Sequence, residues 1–336
     1  GGYVDVGNDF GPGVFDHHQG NAPTAGTARL ARAHPEYARS QLLSEGVHPR
    51  LTVVTHRFPD LDATSAIYIL RALLEGQAAT EALARWAAYV CEVDAGHTRL
   101  RPGESVTPYA LFMVRTGRAR REAGTDPDAQ SLAMLQAGLS LIDVFLAQGI
   151  AGEDRDSLSR LRSLHALQTE IAEVEADRLA YAADIARAEI FPCTLPRHDG
   201  GVSAVSGLWI EFPGSQLFKA WARGDRAHSG GDGFVFTAVR VGEARYIISV
   251  DPASGVSLAG LGEALEVAEE GKRREIGQPR TGVPRQGYRS PDPWYDGRAP
   301  LHAFTIVDSP RMGTVLTSAE VREIVDHYCV SRRDTG

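Results

Sequence analysis

The stretch Leu51–Gly76, LTVVTHRFPDLDATSAIYILRALLEG, reads as a strand, a loop and a helix in immediate succession. Leu51 to Thr55 form an apolar, β-branched run, and from Asp62 onward Ala63, Ala66, Ile67, Leu70, Leu73 and Leu74 recur at helical spacing. Between them lie His56, Asp60 and Asp62, an H-x-x-x-D-x-D spacing stiffened by Pro59. Open α/β sheets place ligands at the carboxyl ends of their strands, and one imidazole and two carboxylates gather there. A helix N-cap would account for Asp62 alone; it explains neither His56 nor Asp60.

Upstream, Tyr3 to His18 reads YVDVGNDFGPGVFDHH. A short strand (Tyr3, Val4, Val6) delivers Asp5, a Gly-Pro-Gly turn at Gly11 to Gly13 reverses the chain, and Val14 and Phe15 deliver Asp16, His17 and His18. Asn8 and Asp9 lie close enough that Asp9 is an alternative to Asp5. Downstream, RWAAYVCEVDAGHTRL is an apolar segment (Trp86, Ala87, Tyr89, Val90, Val93) ending at Asp94, with His97 three residues on. Asp5, His17, His18, His56, Asp60, Asp62 and Asp94 thus sit at the ends of apolar runs within the first hundred residues. Mixed His/Asp sets without cysteine suit borderline-hard ions such as Mn²⁺ better than a structural zinc.

These motifs resemble the DHH phosphoesterase superfamily, which includes family II pyrophosphatases, exonucleases, oligoribonucleases and cyclic-dinucleotide phosphodiesterases. The flanking text, Val4-Asp5-Val6-Gly7 and Phe15-Asp16-His17-His18-Gln19, is most similar to the melanocyte-proliferating-gene family of DHH-like exonucleases. The order departs from the family: H-x-x-x-D-x-D follows D-H-H here, so the arrangement reads as permuted. Strand ends need to be adjacent in space only, and permutation is tolerated where connections run through surface loops. The resemblance implies two Mn²⁺ ions, with Mg²⁺ as the alternative. One would be held by His56, Asp60 and Asp5 and the other by Asp62, His17 and Asp94, with Asp5 bridging. It casts Asp5, Asp62 and His18 as catalytic, with His18 reaching the substrate phosphate, and Asp16 as a support that orients an imidazole.

The expected architecture is α/β: a mostly parallel-sheet metal domain over 1–150, a long connector helix over 151–190, and a smaller α/β or α+β substrate domain over 191–336. Ala22 to Ser44 reads as a helix backing the sheet, with Ala25, Ala28, Leu30 and Ala31 close-packing. Pro108–Gly117 and Asp128–Gly149 read as further helices, with Arg118, Arg120 and Arg121 in the connector between them. Glu153 to Ile190 contains neither proline nor glycine and carries an apolar stripe (Leu158, Leu161, Leu164, Ile171, Val174, Ile185), which predicts one long spacer helix. Beyond it, Val202–Phe212, Gly233–Val241, Ala244–Val250 and Ala303–Val307 read as strands, and Leu258–Arg273 and Ser318–Tyr328 as helices.

A length of 336 residues, 43% hydrophobic and 23% charged, is ordinary for a globular chain of two domains. No stretch reads as the roughly 18 apolar residues of a membrane span and no signal peptide is visible, so the expected address is cytoplasmic. Cys91, Cys193 and Cys329, odd in number and without metal-type spacing, read as unpaired thiols in a reducing compartment. The chain begins Gly-Gly without Met, which reads as an upstream segment removed or replaced. The net charge of −8 argues against coating duplex nucleic acid, while small anionic substrates are compatible. Only Lys219 and Lys272 are lysine, leaving 33 arginines, a bias read as codon usage.

Three places in the second domain suit an anionic substrate. The loop Arg223–Gly233 pairs Arg226 and His228 with four glycines, and it loosely resembles the glycine-rich, His-containing loop in the accessory domain of several DHH enzymes; an ordinary turn is the competing reading. Lys272 to Arg298 sets seven cations, Arg273 and Arg274 among them, against Glu275, Asp292 and Asp296, interleaved with Tyr288, Trp294 and Tyr295. Aromatic stacking plus phosphate contacts are what a single strand needs. Asp308-Ser309-Pro310-Arg311 is a polar strand exit. The expected activity is hydrolysis of phosphodiester bonds in a short single-stranded oligonucleotide or nucleotide, with Arg226, His228, Arg273, Arg274 and Trp294 joining His18 in binding it. A pyrophosphatase-like hydrolase and a non-catalytic nucleotide sensor are the alternatives.

Overall fold

In a computed structural model of the chain, Val14–Phe15 pairs across the Gly-Pro-Gly turn with Phe10–Gly11, a hairpin strand the sequence reading did not include, and lies parallel to the Tyr3–Val4 run. The structure describes residues 2–7, 9–18, 26–41, 50–77, 80–104, 106–298 and 303–330. Asn8, Gln19, and both ends of the helix expected over 22–44 lie outside these. The chain divides into two compact units, Gly1–Ala176 and Asp177–Gly336.

In the first unit, β1 (Gly2–Val4), β2 (Phe10–Gly11) and β3 (Val14–Phe15) are followed by α1 (Thr27–Ala33), α2 (Pro35–Arg39) and β4 (Val53–Val54). The strand order is β2-β3-β1-β4. β1 runs parallel to both β3 and β4, and β2 is an antiparallel edge. Parallel neighbours bring the carboxyl ends of β1, β3 and β4 to the same side, and these ends lead into Asp5, Asp16–His18 and His56. The helices α3 (Leu61–Leu74), α4 (Glu81–Asp94), α5 (Pro108–Glu122), α6 (Pro127–Ala147) and α7 (Arg155–Ser163) complete the unit with the first turns of α8 (Gln168–Arg187). α1 packs on α3 and α4, and α3 also packs on α6.

Three expectations differ from these elements. α5 runs on to Glu122, so Arg118, Arg120 and Arg121 are helical, and Arg118 is held by Glu170 at 2.5 Å and Glu173 at 2.6 Å. The single helix expected over 151–190 is broken: Leu164 is extended, His165–Leu167 make one 3-10 turn, and α8 starts afresh. Leu161 and Leu167 are both fully buried, whereas positions six apart on a continuous helix face about 120° away from each other. The division between the units falls inside α8. Finally, α6 is, by length and composition alone, apolar enough to cross a membrane, which corrects the reading that no stretch approaches that length. In this unit it packs against α3 and α5; a Cβ added at Gly138 would lie 2.8 Å from the Phe112 ring and 2.9 Å from Thr64.

The second unit is built on a five-stranded mixed sheet in the order β5-β6-β7-β8-β9. These are β5 (Glu189–Pro196), β6 (Val202–Glu211), β7 (Phe236–Gly242), β8 (Arg245–Val250) and β9 (Ile306–Asp308). The β6/β7 pair is parallel and the others antiparallel. α9 (Phe218–Gly224) and the single turn α10 (Arg226–Ser229) cross from β6 to β7, and α11 (Leu261–Glu275) and α12 (Ser318–Val330) complete the unit. Trp209, Phe236, Tyr246, Ile248, Leu261, Leu265, Trp294 and Val325 form its core. The whole is α/β with two mixed sheets.

Cys193 in β5 and Cys329 in α12 are joined by a disulfide, with Cα atoms 4.8 Å apart, which corrects the reading of three unpaired thiols. Only Cys91 is free, and it is buried. Disulfides persist in oxidising compartments, so cysteine usage no longer supports a reducing address.

The glycine loop that follows α10 owes one of its glycines to the chain itself. Gly233 has φ +123°, and an added Cβ would stand 1.9 Å from the Arg223 carbonyl oxygen. Gly233→Ala is expected to lose more than the roughly 1–3 kcal/mol of a strained backbone alone, because the clash is with backbone and cannot be relieved by a rotamer change. Urea unfolding checks this; a loss under about 1 kcal/mol would mean that the loop re-forms around the methyl group.

Candidate metal centre

Asp5 follows β1 in the left-handed region, φ 59°, a conformation that Asp tolerates better than most residues. Its N–H donates to the Phe15 carbonyl at 2.8 Å, which ties the turn to β3. The buried carboxylate is surrounded by imidazoles. Oδ1 lies 3.4 Å from His17 Nε2 and 3.7 Å from His18 Nδ1, and Oδ2 lies 3.2 Å from His56 Nε2. The Thr27 hydroxyl, at the start of α1, donates to Oδ1 at 2.9 Å. Asp9 stays outside this group, its carboxylate accepting from the Phe10 N–H.

The loop after β4 supplies the opposite wall. Asp60 caps α3, accepting from the Ala63 N–H at 3.0 Å, and its Oδ2 lies 3.7 Å from His56 Nε2. The N-cap is therefore Asp60, while Asp62 sits inside the first turn, fully buried. Its two oxygens accept from the Thr27 and Ala28 N–H groups at 2.7 and 2.9 Å, so the same carboxylate satisfies the first N–H groups of α1. Asp94, the last residue of α4, lies 3.3 Å from His17 Nε2, and Asp62 lies 3.7 Å from it. His18 is turned by Asp16, whose Oδ1 is 2.7 Å from its Nδ1 and also accepts its backbone N–H.

Three trios meet within ligand reach of one another: Asp5 with His56 and Asp60, His17 with Asp62 and Asp94, and Asp5 with His17 and His18, the ligand atoms of each trio within 4.8 Å of one another. All six residues read from the sequence as ligands are brought together, with His18 beside them.

The electrostatics follow from the crowding. Burial, then the charges of Asp94, Asp5 and Asp60, push the Asp62 carboxyl up to about 8. Burial likewise raises Asp94 to about 6, against the pull of His17. At Asp5 burial is outweighed by the His17 and His56 imidazoles, which hold it well below the usual carboxylate range. Burial opposes charge on His17 and His56, yet their carboxylate neighbours push them to about 9 and about 10. His18 is raised chiefly by Asp16. The cluster thus draws in protons to offset its acids, a role that divalent cations can take over.

The residues fit such cations. The donors are oxygen and imidazole nitrogen with no thiolate; Nε2 of buried His17 faces three carboxylates without a well-formed hydrogen bond, and its Nδ1 has no hydrogen-bond partner among the described residues. An unsatisfied buried polar atom costs about 1–3 kcal/mol, so an imidazole held in that state is prepared for a ligand. A cavity of about 980 Å³ beside Tyr89, His97, Arg101 and Glu153 includes none of the cluster among its described lining residues; the ligand geometry marks the site.

Gly26, Thr27 and Cys91 escaped the sequence reading. A Cβ at Gly26 would lie 2.7 Å from Cys91 Sγ and 3.3 Å from both Asp62 oxygens, so the close approach of α1 to Asp62 needs glycine. The usable signal was a Gly-Thr pair opening an Ala-rich helix.

The residues expected to hold substrate are less uniform. Arg226 is exposed and pairs with Asp232 at 3.1 Å. His228 Nδ1 rests on buried Asp225 at 2.7 Å, and the Tyr181 hydroxyl donates to the same oxygen at 2.7 Å. Arg273 is spent partly on Glu269, at 2.7 Å, and the Gly313 carbonyl, while Arg274 is exposed, its Nε on the Glu270 carbonyl. Trp294 is a correction. Only 1% exposed, it packs in the core against Tyr246, with its indole N–H toward Glu269, so it offers no face to a base.

No family model, curated protein or solved structure matches this chain.

Proposed function

We propose that the chain is a metal-dependent phosphoesterase that works with two divalent cations, Mn²⁺ foremost, on phosphodiester bonds of a short single-stranded oligonucleotide or nucleotide. The observation that carries this reading is the sharing of Asp5 between trios, beside a buried His17 whose Nε2 faces the carboxylates of Asp5, Asp62 and Asp94. The likeness of the motifs to the DHH superfamily points the same way. His56, Asp60 and Asp5 would hold one ion, and Asp62, His17 and Asp94 the other. When bound, a close pair of divalent cations lowers the pKa of a water between them and neutralises charge on the phosphoryl oxygens. His18, half-buried and turned by Asp16, donates to a phosphate oxygen. Asp62 keeps its orientation through the Thr27 and Ala28 N–H groups, and Thr27 holds Asp5.

The burial of Trp294 removes one of the three aromatics that set oligonucleotides above pyrophosphate, Tyr288 and Tyr295 being only partly buried, so the substrate panel includes both. The test is hydrolysis of a dinucleotide, a longer single strand and pyrophosphate with Mn²⁺ and with chelator. Chelation is expected to abolish cleavage of the dinucleotide and Mn²⁺ to restore it. Cleavage of pyrophosphate alone would transfer the assignment to a pyrophosphatase-like hydrolase, and no turnover of any substrate would leave a sensor.

Thr27→Val keeps the shape of the side chain and removes the hydroxyl that holds Asp5. Losing such a supporting bond to a metal ligand typically costs 10–100-fold in metal affinity, and about that loss is expected in a Mn²⁺ titration. Unchanged affinity would mean that Asp5 is held by its backbone alone.

A further inference from the structure

The second unit contains a small cavity of about 200 Å³ lined by Arg273, Arg274, Arg280, Arg289, Ser290 and Glu270, between Pro279 and Pro291. Four guanidinium groups face one carboxylate. Arg280 is fixed by Glu266, at 2.7 Å, and by the Asp292 carbonyl, and Arg273 by Glu269 and the Gly313 carbonyl. A guanidinium has five N–H donors, so each of these two keeps donors to spare while its position is set. Arg274 and Arg289 form no ion pair with a carboxylate among the described residues. Ser290 is 4% exposed, and its hydroxyl has no hydrogen-bond partner among the described residues.

A buried hydroxyl without a partner, on the wall of a cavity ringed by arginines, lacks an acceptor. We infer that this cavity binds the dianion of a phosphate group, accepting from Ser290 Oγ and from the guanidinium forks of Arg274 and Arg289. Planar guanidinium matches phosphate oxygens with paired donors, and a cavity of this size holds an anion while falling short of the roughly 300 Å³ from which ligand pockets begin. A second cavity of about 240 Å³, lined by Tyr288, Asp296 and Arg298, shares Glu270 and Arg289 with the first. The phosphate can therefore be free or the terminal group of a mononucleotide whose remainder lies next door. The site is built from the second unit alone and does not depend on the metal centre.

The experiment is calorimetric titration of the full chain, stripped of divalent cations and at fixed ionic strength, with inorganic phosphate, a 5′-mononucleotide and a dinucleotide without terminal phosphate. Wild type is expected to bind the first two. Arg289→Ala and Arg274→Ala should each weaken binding about 10–100-fold, the loss of a charge-assisted hydrogen-bond pair. Ser290→Ala, which leaves every arginine in place, should weaken it about fivefold or more. Asp62→Asn should bind phosphate as wild type does, which separates this site from the metal centre. Tighter binding of the mononucleotide than of phosphate would identify a terminal phosphate as the ligand, and equal binding would identify the free ion. Failure of wild type to bind phosphate, retention of affinity in the Arg274 and Arg289 variants, or equal binding of the dinucleotide would overturn the assignment.

Discussion

Asp94→Asn is expected to lower Mn²⁺-dependent hydrolysis by at least about 100-fold while leaving the metal-free protein as stable as before, or more so. Loss of a supporting residue near a metal costs 10–100-fold, and removing a ligand should exceed that. The stability half of the prediction comes from where the acid stands. Asp94 ends α4, where the helix dipole disfavours negative charge by about 0.3–1 kcal/mol, and burial has raised its carboxyl to about 6 in the company of Asp60 and Asp5. A carboxyl whose folded value lies above its ordinary one binds protons more strongly in the fold. On this group, stability is therefore full below the ordinary carboxylate range and falls as pH rises to about 6. The Asn variant lacks that loss. Its chelated form should match or exceed wild type in urea at pH 7, and the difference should shrink toward pH 4. A variant that is inactive and clearly less stable would make Asp94 a structural residue and remove it from the metal centre.

The same tension between stability and chemistry explains which parts of the molecule the chain discloses. His56, Asp60 and Asp62 are readable because a β-branched run and a helical pattern leave only one short loop between them, and the loop must lie at a strand end. The turn at Gly11 to Gly13 is readable for the same local reason, but its hairpin strand Phe10–Gly11 is too short to show a pattern. The strand around Leu51–Thr55, five residues by pattern, contributes only Val53–Val54 to the ladder, and none of the five is buried, so apolar character there marks neither burial nor the extent of pairing. The left-handed turn at Asp5 has no local signature, because its energy is offset by the Phe15 carbonyl and Thr27, both remote in sequence. Composition identified the arginines of Lys272 to Arg298 but not the fate of Trp294: the pattern of cations and aromatics is identical whether an indole faces solvent or the Tyr246 ring. The interruption at Leu164 is likewise invisible, for no proline or glycine announces it, and only the burial of both Leu161 and Leu167 requires it.

The disulfide yields the second large effect. Cys193 and Cys329 are separated by 136 positions, so their bond closes a loop over most of the second unit. Sequence cannot pair cysteines at such a distance, and an odd total obscures the pair further. In the chain-entropy account a closed loop of about 100 residues stabilises by about 4.7 kcal/mol, and measured values centre on 2–4 kcal/mol. Cys193→Ala with Cys329→Ala should therefore lower the thermal midpoint of the second unit by about 5–15 °C, at roughly 2–4 °C per kcal/mol for a unit of this size. Reductant should bring wild type down toward the same midpoint and leave the double variant where it is. Thiol counting gives the direct check. Cys91, its thiol pushed up to about 12 by burial, should resist labelling in the folded protein, because the reactive species is the thiolate. Unfolding without reductant should expose one reactive thiol, and reduction should raise the number to three. Three thiols without reductant would mean that the bond does not form in the purified protein, and cysteine usage would again support a reducing compartment.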